Sequence, residues 1–464
     1  MTNTLPSKST STRARDSAVG QFKHKRSATD IGLAILTPLV GQDFLDRYHL
    51  RDPFNRGLKY GVKQAFSTAG AATRQFKKVQ GVGKAPTRLR PSGADYFDLT
   101  PDDDQKMIVA TVDEFAEEIL RPAAHDADAA ATYPPDLIAK AAELGITAIN
   151  IPEDFDGIAE QRTTITNALV AEALAYGDMG LALPILAPGG VASALTHWGS
   201  ADQQATYLKE FAGEHVPQAC VAIAEPHALF DPTALKTTAV RTPSGYRLDG
   251  VKSLVPAAAH AELFIVAAQL NGKPTLFIVE ASTAGVSVKA DPSMGIRAAA
   301  LGRVELDKVL VPLSARLGEE DGTDADYAQV YSEAIALSRL GWAALAVGTS
   351  HAVLDYVIPY VKEREAFGEP VARRQAVAFM CANIAIELDG LRLITWRGAA
   401  RAENGLPFAR EAALAKKLGT DKGMQIGLDG VQLLGGHGYT KEHPVERWYR
   451  DLRAIGVAEG VVVL

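Results

Sequence analysis

A chain of 464 residues, 47% of them hydrophobic, can bury a large core and is long enough for two or three domains. Its net charge of −7 is unevenly spread: residues 1–98 hold 17 Lys and Arg against 7 Asp and Glu, net +10, which leaves −17 for the remainder. An acidic body argues against a nucleic-acid partner, and two cysteines, Cys220 and Cys381, exclude a disulfide scaffold and point to a reducing, cytoplasmic interior.

Residues 1–27 are rich in Ser, Thr, Lys and Arg, a composition that predicts disorder. The apolar run from Ile31 to Gly41 follows basic residues as a secretory signal does, but it contains Thr37 and Pro38 and no small-x-small cleavage site follows it. From Leu58 to Val79, the apolar Leu58, Val62, Phe66, Ala69 and Phe76 alternate with Lys59, Lys63, Arg74, Lys77 and Lys78, which predicts a basic amphipathic helix weakened by Gly70. Two readings of it stand open: contact with an anionic membrane surface or an acidic partner, or packing on the body of the protein. No apolar run reaches the roughly 18 to 20 residues that cross a bilayer.

Thr100, followed by Pro101 and three aspartates, reads as a helix cap, with Ile108, Val112, Phe115 and Ile119 at helical spacing behind it. The chain then reads helical to about Pro217. From Ala219 to about Val311 its character changes to short β-rich runs, among them residues 263–268 and 275–279, separated by the turn signals Asn271-Gly272 and Pro243-Ser244-Gly245. Long helices return from about Tyr327. Val377, Cys381, Ile384, Leu388, Leu391, Thr395 and Gly398 recur every three or four residues, and Pro407 opens a further helix to about Leu433. The domain boundaries this predicts are 1–98 for a basic arm, 99–217 for a helical domain, 218–318 for a β domain and 319–464 for a second helical domain.

The chemistry is placed at Glu459, an unpaired carboxylate among Ile455, Val457, Ala458, Gly460, Val461, Val462 and Val463. Burial of such a segment would desolvate the carboxyl and make it a competent base. Before it come the basic stretch Arg447, Arg450, Arg453 and the glycine-rich run Gln432 to Tyr439. No H-E-x-x-H, paired C-x-x-C or G-x-S-x-G motif offers a metal or nucleophile chemistry, and Gly81-Val82-Gly83-Lys84 lacks the first glycine of a phosphate-binding loop.

Arg364, Phe367, Gly368, Gln375, Gln432, Gly435, Gly436, Gly438, Tyr439, Pro444, Glu446, Arg447, Tyr449, Arg450, Asp451, Glu459 and Gly460 stand in the order and spacing of R-x-x-F-G, Q, Q-x-x-G-G-x-G-Y, P-x-E-R-x-Y-R-D and E-G. In this the chain resembles the acyl-CoA dehydrogenase family from about Leu99 onward. The resemblance implies an α+β fold: an N-terminal helical domain, a middle β-barrel or sandwich domain and a C-terminal four-helix bundle. It implies FAD as cofactor, contacted by Ile223, Ala224, Arg364, Phe367, Gln375, Gln432, Gly435 and Gly436, with Arg364 and Gln375 serving the flavin of a partner subunit in a homodimer or homotetramer. It further implies Glu459 as the base that removes the α proton of an acyl-CoA, Phe230, Arg339 and Gly460 at substrate-contacting positions, and electron-transfer flavoprotein as the electron acceptor.

The chain departs from the family pattern at several positions. Phe230 replaces a serine that meets cofactor or CoA phosphate, Leu254-Val255-Pro256 replaces W-I-T near the flavin, and Val461 replaces a Thr or Ser. Some members carry the base one residue before the arginine matched by Arg339; that residue here is Ser338, which cannot serve. These departures keep open a second function, a catalytically weak or inert acyl-CoA-binding scaffold.

Overall fold

The computed structural model describes residues 99–464 except 160–162, 214 and 320–321. The basic arm, its predicted disorder and its amphipathic helix lie outside the described residues.

The first helix, α1 (Asp103–Phe115), starts at a capping box centred on Asp102 rather than at Thr100. The Gln105 amide donates to Asp102 Oδ1 at 2.8 Å and the Asp102 amide to Gln105 Oε1 at 3.1 Å, so Pro101 falls ahead of the cap instead of inside the first turn. A π turn (Ala116–Leu120), α2 (Arg121–Ala130) and α3 (Leu137–Glu143) lead to α4 (Thr164–Trp198) and α5 (Ala201–Phe211). In α4 the backbone leaves helical geometry at Asp178 (φ −163°, ψ 125°), and the Asp178 carboxylate restarts the helix by accepting from the Leu181 amide at 3.0 Å. Among the described residues α4 is long and apolar enough to cross a membrane, where the sequence reading found no apolar run of that length. It is a core helix here, with 83% of its apolar window buried.

One seven-stranded mixed sheet forms the middle of the chain: β1 (Ala219–Ala222), β2 (Thr238–Thr242), β3 (Gly245–Val255), β4 (Leu263–Leu270), β5 (Lys273–Glu280), β6 (Val286–Ala290) and β7 (Gly302–Pro312). The order is β1-β4-β2-β3-β7-β6 with β5 also on β4; β4 runs parallel to β1 and β2, and the other pairs are antiparallel. The predicted Asn271-Gly272 turn joins β4 to β5 with both residues at positive φ, 52° and 77°, the twist a two-residue hairpin needs.

Then follow α6 (Asp324–Glu363), a two-strand hairpin β8 (Glu365–Ala366) and β9 (Glu369–Pro370), α7 (Gln375–Glu403), α8 (Ala409–Leu434) and the short α9 (Val445–Leu452). On α7, Ile384, Leu388, Leu391, Thr395 and Gly398 are buried, as their spacing predicts. Helix α6 is the spine, packed along α4, α7 and α8 and against β5. Its counterpart α4 also meets β1. This places the start of the sheet, the middle of α6 and the segment after α9 side by side.

The basic stretch ahead of Glu459 is used in the interior. Arg447 Nε donates to Asp178 Oδ2 at 2.9 Å, and Arg450 forks onto both oxygens of Asp128 at 2.8 Å while also meeting Glu446. Asp451 is buried and accepts from the Ile296 amide at 2.5 Å. Burial and the neighbouring Asp178 push its carboxyl up to about 8, because two carboxylates share the cation of Arg447. These contacts tie α9 to α2, α4 and the loop before β7.

Candidate active site

After α9 and a 3-10 turn (Arg453–Gly456), the chain leaves Val457 exposed and runs inward from Ala458 as irregular structure. Gly460 bridges Ala222 at the end of β1, and the Val461 amide donates to Val221 O at 3.1 Å. The fit leaves no spare room. Gly460 has φ +81°, and a Cβ on it would stand 3.0 Å from Ile223. A Cβ on Gly341 of α6 would come within 2.7 Å of Val462, and one on Gly190 of α4 within 2.3 Å of Val461 O. Val461 itself sits at φ +71°, a left-handed conformation that a β-branched residue adopts only when its surroundings impose it. Val461 to Leu464 are all buried.

This segment presents Glu459, and one turn of α6 meets it. Ser338 Oγ and Trp342 Nε1 donate to Gly460 O at 2.7 and 2.9 Å. Between them on the same helix, Arg339 donates to Glu459 Oε1 from Nη2 at 3.0 Å and from Nε at 3.2 Å. The sequence reading of Glu459 as unpaired is thus corrected: the segment is buried, with the Glu459 side chain 11% exposed, but the carboxylate is held by a guanidinium 120 residues earlier in the chain. From α8, Lys416 Nζ donates to Ala458 O at 2.5 Å and lies 5.6 Å from the Trp342 ring. Burial pulls the Lys416 ammonium down to about 8, partly offset by Glu459. Neither Lys416 nor Trp342 carries a sequence signal of its own; only long-range contact reveals them.

The end of β1 forms the opposite wall. Ile223 and Ala224 are buried, and their carbonyls accept from Lys252 Nζ at 3.1 Å and from the Ser253 amide at 2.9 Å. Glu225, next along, is fully engaged: Lys252 Nζ at 2.9 Å, the Lys236 amide at 2.7 Å and the Thr237 amide at 2.9 Å. Burial opposes its ionisation, yet Lys252 and the amides hold its carboxyl down at about 2. It fixes the following loop, where Phe230 packs edge-on against His227 with ring centroids 5.5 Å apart, and Leu229 is 99% exposed at φ +54°. Tyr331 of α6 donates to Pro232 O at 2.6 Å and closes that loop. At the end of β3, the Leu254 amide already donates to Asp291 Oδ2 at 3.0 Å, and Pro256 has no N–H, so these two positions offer a ligand no backbone donor.

The remaining predicted residues gather elsewhere. Arg364 ends α6, Phe367 is 95% exposed in the β8–β9 turn, and exposed Gln375 opens α7. At the end of α8, Gln432, Gly435 and Gly436 are exposed, and the space where either glycine would carry a Cβ is open. Tyr360 links the two groups, with its hydroxyl 2.8 Å from His437 Nδ1 and the Arg364 amide donating to its carbonyl at 2.8 Å. Arg339 and Arg364 are separated by twenty-five residues along α6, about 37 Å at 1.5 Å per residue. The predicted cofactor-contacting residues from Arg364 to Gly436 thus gather away from Glu459 and Arg339.

Comparison with known proteins places the chain in a family. Three domain models match in order: acyl-CoA dehydrogenase N-terminal domain over residues 102–215, middle domain over 220–309 and C-terminal domain over 328–461. A probable acyl-CoA dehydrogenase of Bacillus subtilis is 31% identical over 78% of this chain and 96% of its own length. The mitochondrial short-chain specific acyl-CoA dehydrogenase of Bos taurus is 30% identical over 76% of this chain and 86% of its own. The solved structure of butyryl-CoA dehydrogenase from Megasphaera elsdenii superposes with a TM-score of 0.71 at 28% identity, covering 78% of this chain and 95% of that one. With its three domains in family order and its relatives matched along nearly their whole length, the chain belongs to the acyl-CoA dehydrogenase family.

Proposed function

We propose that this protein is an FAD-dependent enzyme that oxidises an acyl-CoA thioester to its trans-2-enoyl thioester, with Glu459 as the base. The observation that carries the reading is the grip on Glu459: its carboxylate is aimed by Arg339, and the peptide carbonyls on either side of it are held by Lys416, Ser338 and Trp342. A base fixed in this way loses little freedom when substrate arrives. One carboxylate oxygen takes the α proton, while the Glu459 amide receives the thioester carbonyl and thereby acidifies that proton. FAD, when bound, supplies the acceptor for the hydride that leaves the β carbon. Gly435 and Gly436 suit its ADP portion, since no Cβ blocks the approach, and Arg364 with Gln375 offers donors to its pyrophosphate.

The 37 Å between Arg339 and Arg364, an estimate of about that size from helix rise, supports a homo-oligomer in which Arg364, Phe367 and Gln375 complete the site of a partner subunit. Phe379, Ile386 and Leu393, exposed at seven-residue intervals on α7, add an apolar stripe suited to burial between subunits. Electron-transfer flavoprotein is the proposed acceptor of the electrons. For the basic residues 1–98 the reading is peripheral contact with an anionic membrane surface; equal sedimentation of full-length and truncated protein on anionic vesicles would remove it.

The enzyme assignment is tested with Glu459→Gln. The variant should keep its yellow flavin and bind acyl-CoA, yet lose anaerobic flavin reduction by about three orders of magnitude or more. Reduction within about tenfold of wild type would sink Glu459 as the base. Colourless wild-type protein that binds acyl-CoA would favour the scaffold function.

A further inference from the structure

The segment that bears Glu459 is held by three elements, β1, α6 and α8. Helix α8 reaches residue 458 through Lys416, whose Nζ donates to Ala458 O at 2.5 Å and lies 5.6 Å from the centre of the Trp342 ring. Trp342 in turn holds Gly460 O. Ala458 and Gly460 are the two neighbours of Glu459, so the ammonium and the indole form one continuous clamp across it. The charged groups that face Lys416 are Glu459 and, from α6, Arg339. Lys416 thus brings a second positive charge to a site where Arg339 already supplies one.

We propose that Lys416 is a positioning residue for the proton-abstracting carboxylate. It fixes the peptide that carries Glu459 through the Ala458 carbonyl, and its ammonium adds a positive charge that faces the Glu459 carboxylate. The clamp and the charge are separable, because a neutral donor of similar reach keeps the first and abolishes the second. With the ammonium itself brought down to about 8 by burial, the charge is present at neutral pH and withdrawn in mildly alkaline solution. The inference rests on Glu459 acting as the base.

The test uses full-length flavinated enzyme in four forms: wild type, Lys416→Arg, Lys416→Gln and Lys416→Met. Flavin reduction by acyl-CoA is followed against pH, and amide exchange is followed across residues 457–462. Lys416→Arg should keep the wild-type acid limb of the kcat/KM profile. Lys416→Gln and Lys416→Met should both move that limb to higher pH, since ionising a carboxylate is harder once a neighbouring cation is gone. Lys416→Met should in addition lose about ten- to a hundredfold in maximal rate and exchange the Val461 amide faster at an unchanged melting temperature. Lys422→Met, on the same helix but paired with Glu387, serves as the control and should change neither. A purely structural lysine would lower the rate without moving the limb.

An unmoved acid limb in both neutral variants overturns the electrostatic half, and unchanged exchange at residues 457–462 in Lys416→Met overturns the clamp. If Lys416→Met does not fold, Lys416→Gln and Lys416→Arg still decide the matter by their acid limbs. Because the exchange measurement needs no turnover, failure of Lys416 as a clamp is distinguishable from failure of Glu459 as the base, which Glu459→Gln alone reads.

Discussion

Arg339 and Glu459 form a two-pronged ion pair, with Nη2 3.0 Å and Nε 3.2 Å from Oε1, and Nε also 3.4 Å from Oε2. A fork of this kind sets direction as well as distance, which a point charge does not. Arg339→Gln should therefore leave the protein folded and flavinated but let the carboxylate swing, lowering flavin reduction by about ten- to a hundredfold. Arg339→Lys should fall between. Rapid-mixing absorbance with an acyl-CoA checks both, and Arg339→Gln reducing its flavin within about twofold of wild type would show that the pair does not aim the base.

Arg364→Ala and Gln375→Ala should weaken FAD retention, read as a lower ratio of flavin to protein absorbance after gel filtration. Both residues are exposed and remote from Glu459 along α6, so the loss should appear in the partner's site. Mixed oligomers of Arg364→Ala with a Glu459→Gln subunit would then lose flavin at the Glu459→Gln site and keep it at the site whose Glu459 is intact. Fully flavinated monomers would end the idea of a shared site.

Asp451 gives the fold a pH signature. Burial and Asp178 raise its carboxyl to about 8, so the folded chain holds a proton that the unfolded chain releases near 4. The stability this proton carries is complete below about pH 4 and falls as pH rises through about 8, by at most roughly 1.4 kcal/mol per unit. Asp451→Asn mimics the protonated acid and should match wild type near pH 5 but unfold at higher urea near pH 9. Identical slopes of midpoint against pH in the two proteins would contradict a raised Asp451 carboxyl in the folded chain.

The Lys252–Glu225 pair lies wholly inside the protein, with 2.9 Å between Nζ and Oε1. Lys252→Met leaves Glu225 with its amide donors but without its cation, and should cost about 3–5 kcal/mol in chemical denaturation. Adding Glu225→Gln should recover part of that loss, since the amide carries no charge to strand. A single substitution costing under about 1 kcal/mol would mean that the Lys236 and Thr237 amides suffice to hold the carboxylate.

Much of the architecture was legible from local pattern. The Asn271-Gly272 turn, the apolar β runs around it and the buried positions of α7 each depend on neighbours within one element, where periodicity speaks directly. Helix α4 was harder, because its kink is repaired by Asp178 and Arg447, two residues far apart in the chain. The site shows the same limit. Glu459, Gly435 and Gly436 were marked by motif, but Glu459 read as solitary because its partner arrives from α6 and its clamp from α8. Arg450 stood in a basic stretch whose partner, Asp128 on α2, lies far from it in the chain.

Gly190 and Gly341 touch no substrate and hold no charge, yet the buried strand that bears Glu459 runs against both, with no room for one more methyl group. An alanine at either place would push that strand outward and carry the carboxylate with it, while every polar residue named above stayed unchanged. When natural variants of this protein are interpreted, these two helix glycines belong in the same class as Glu459, and a sequence that keeps Glu459 but has lost either one should lose the proposed activity.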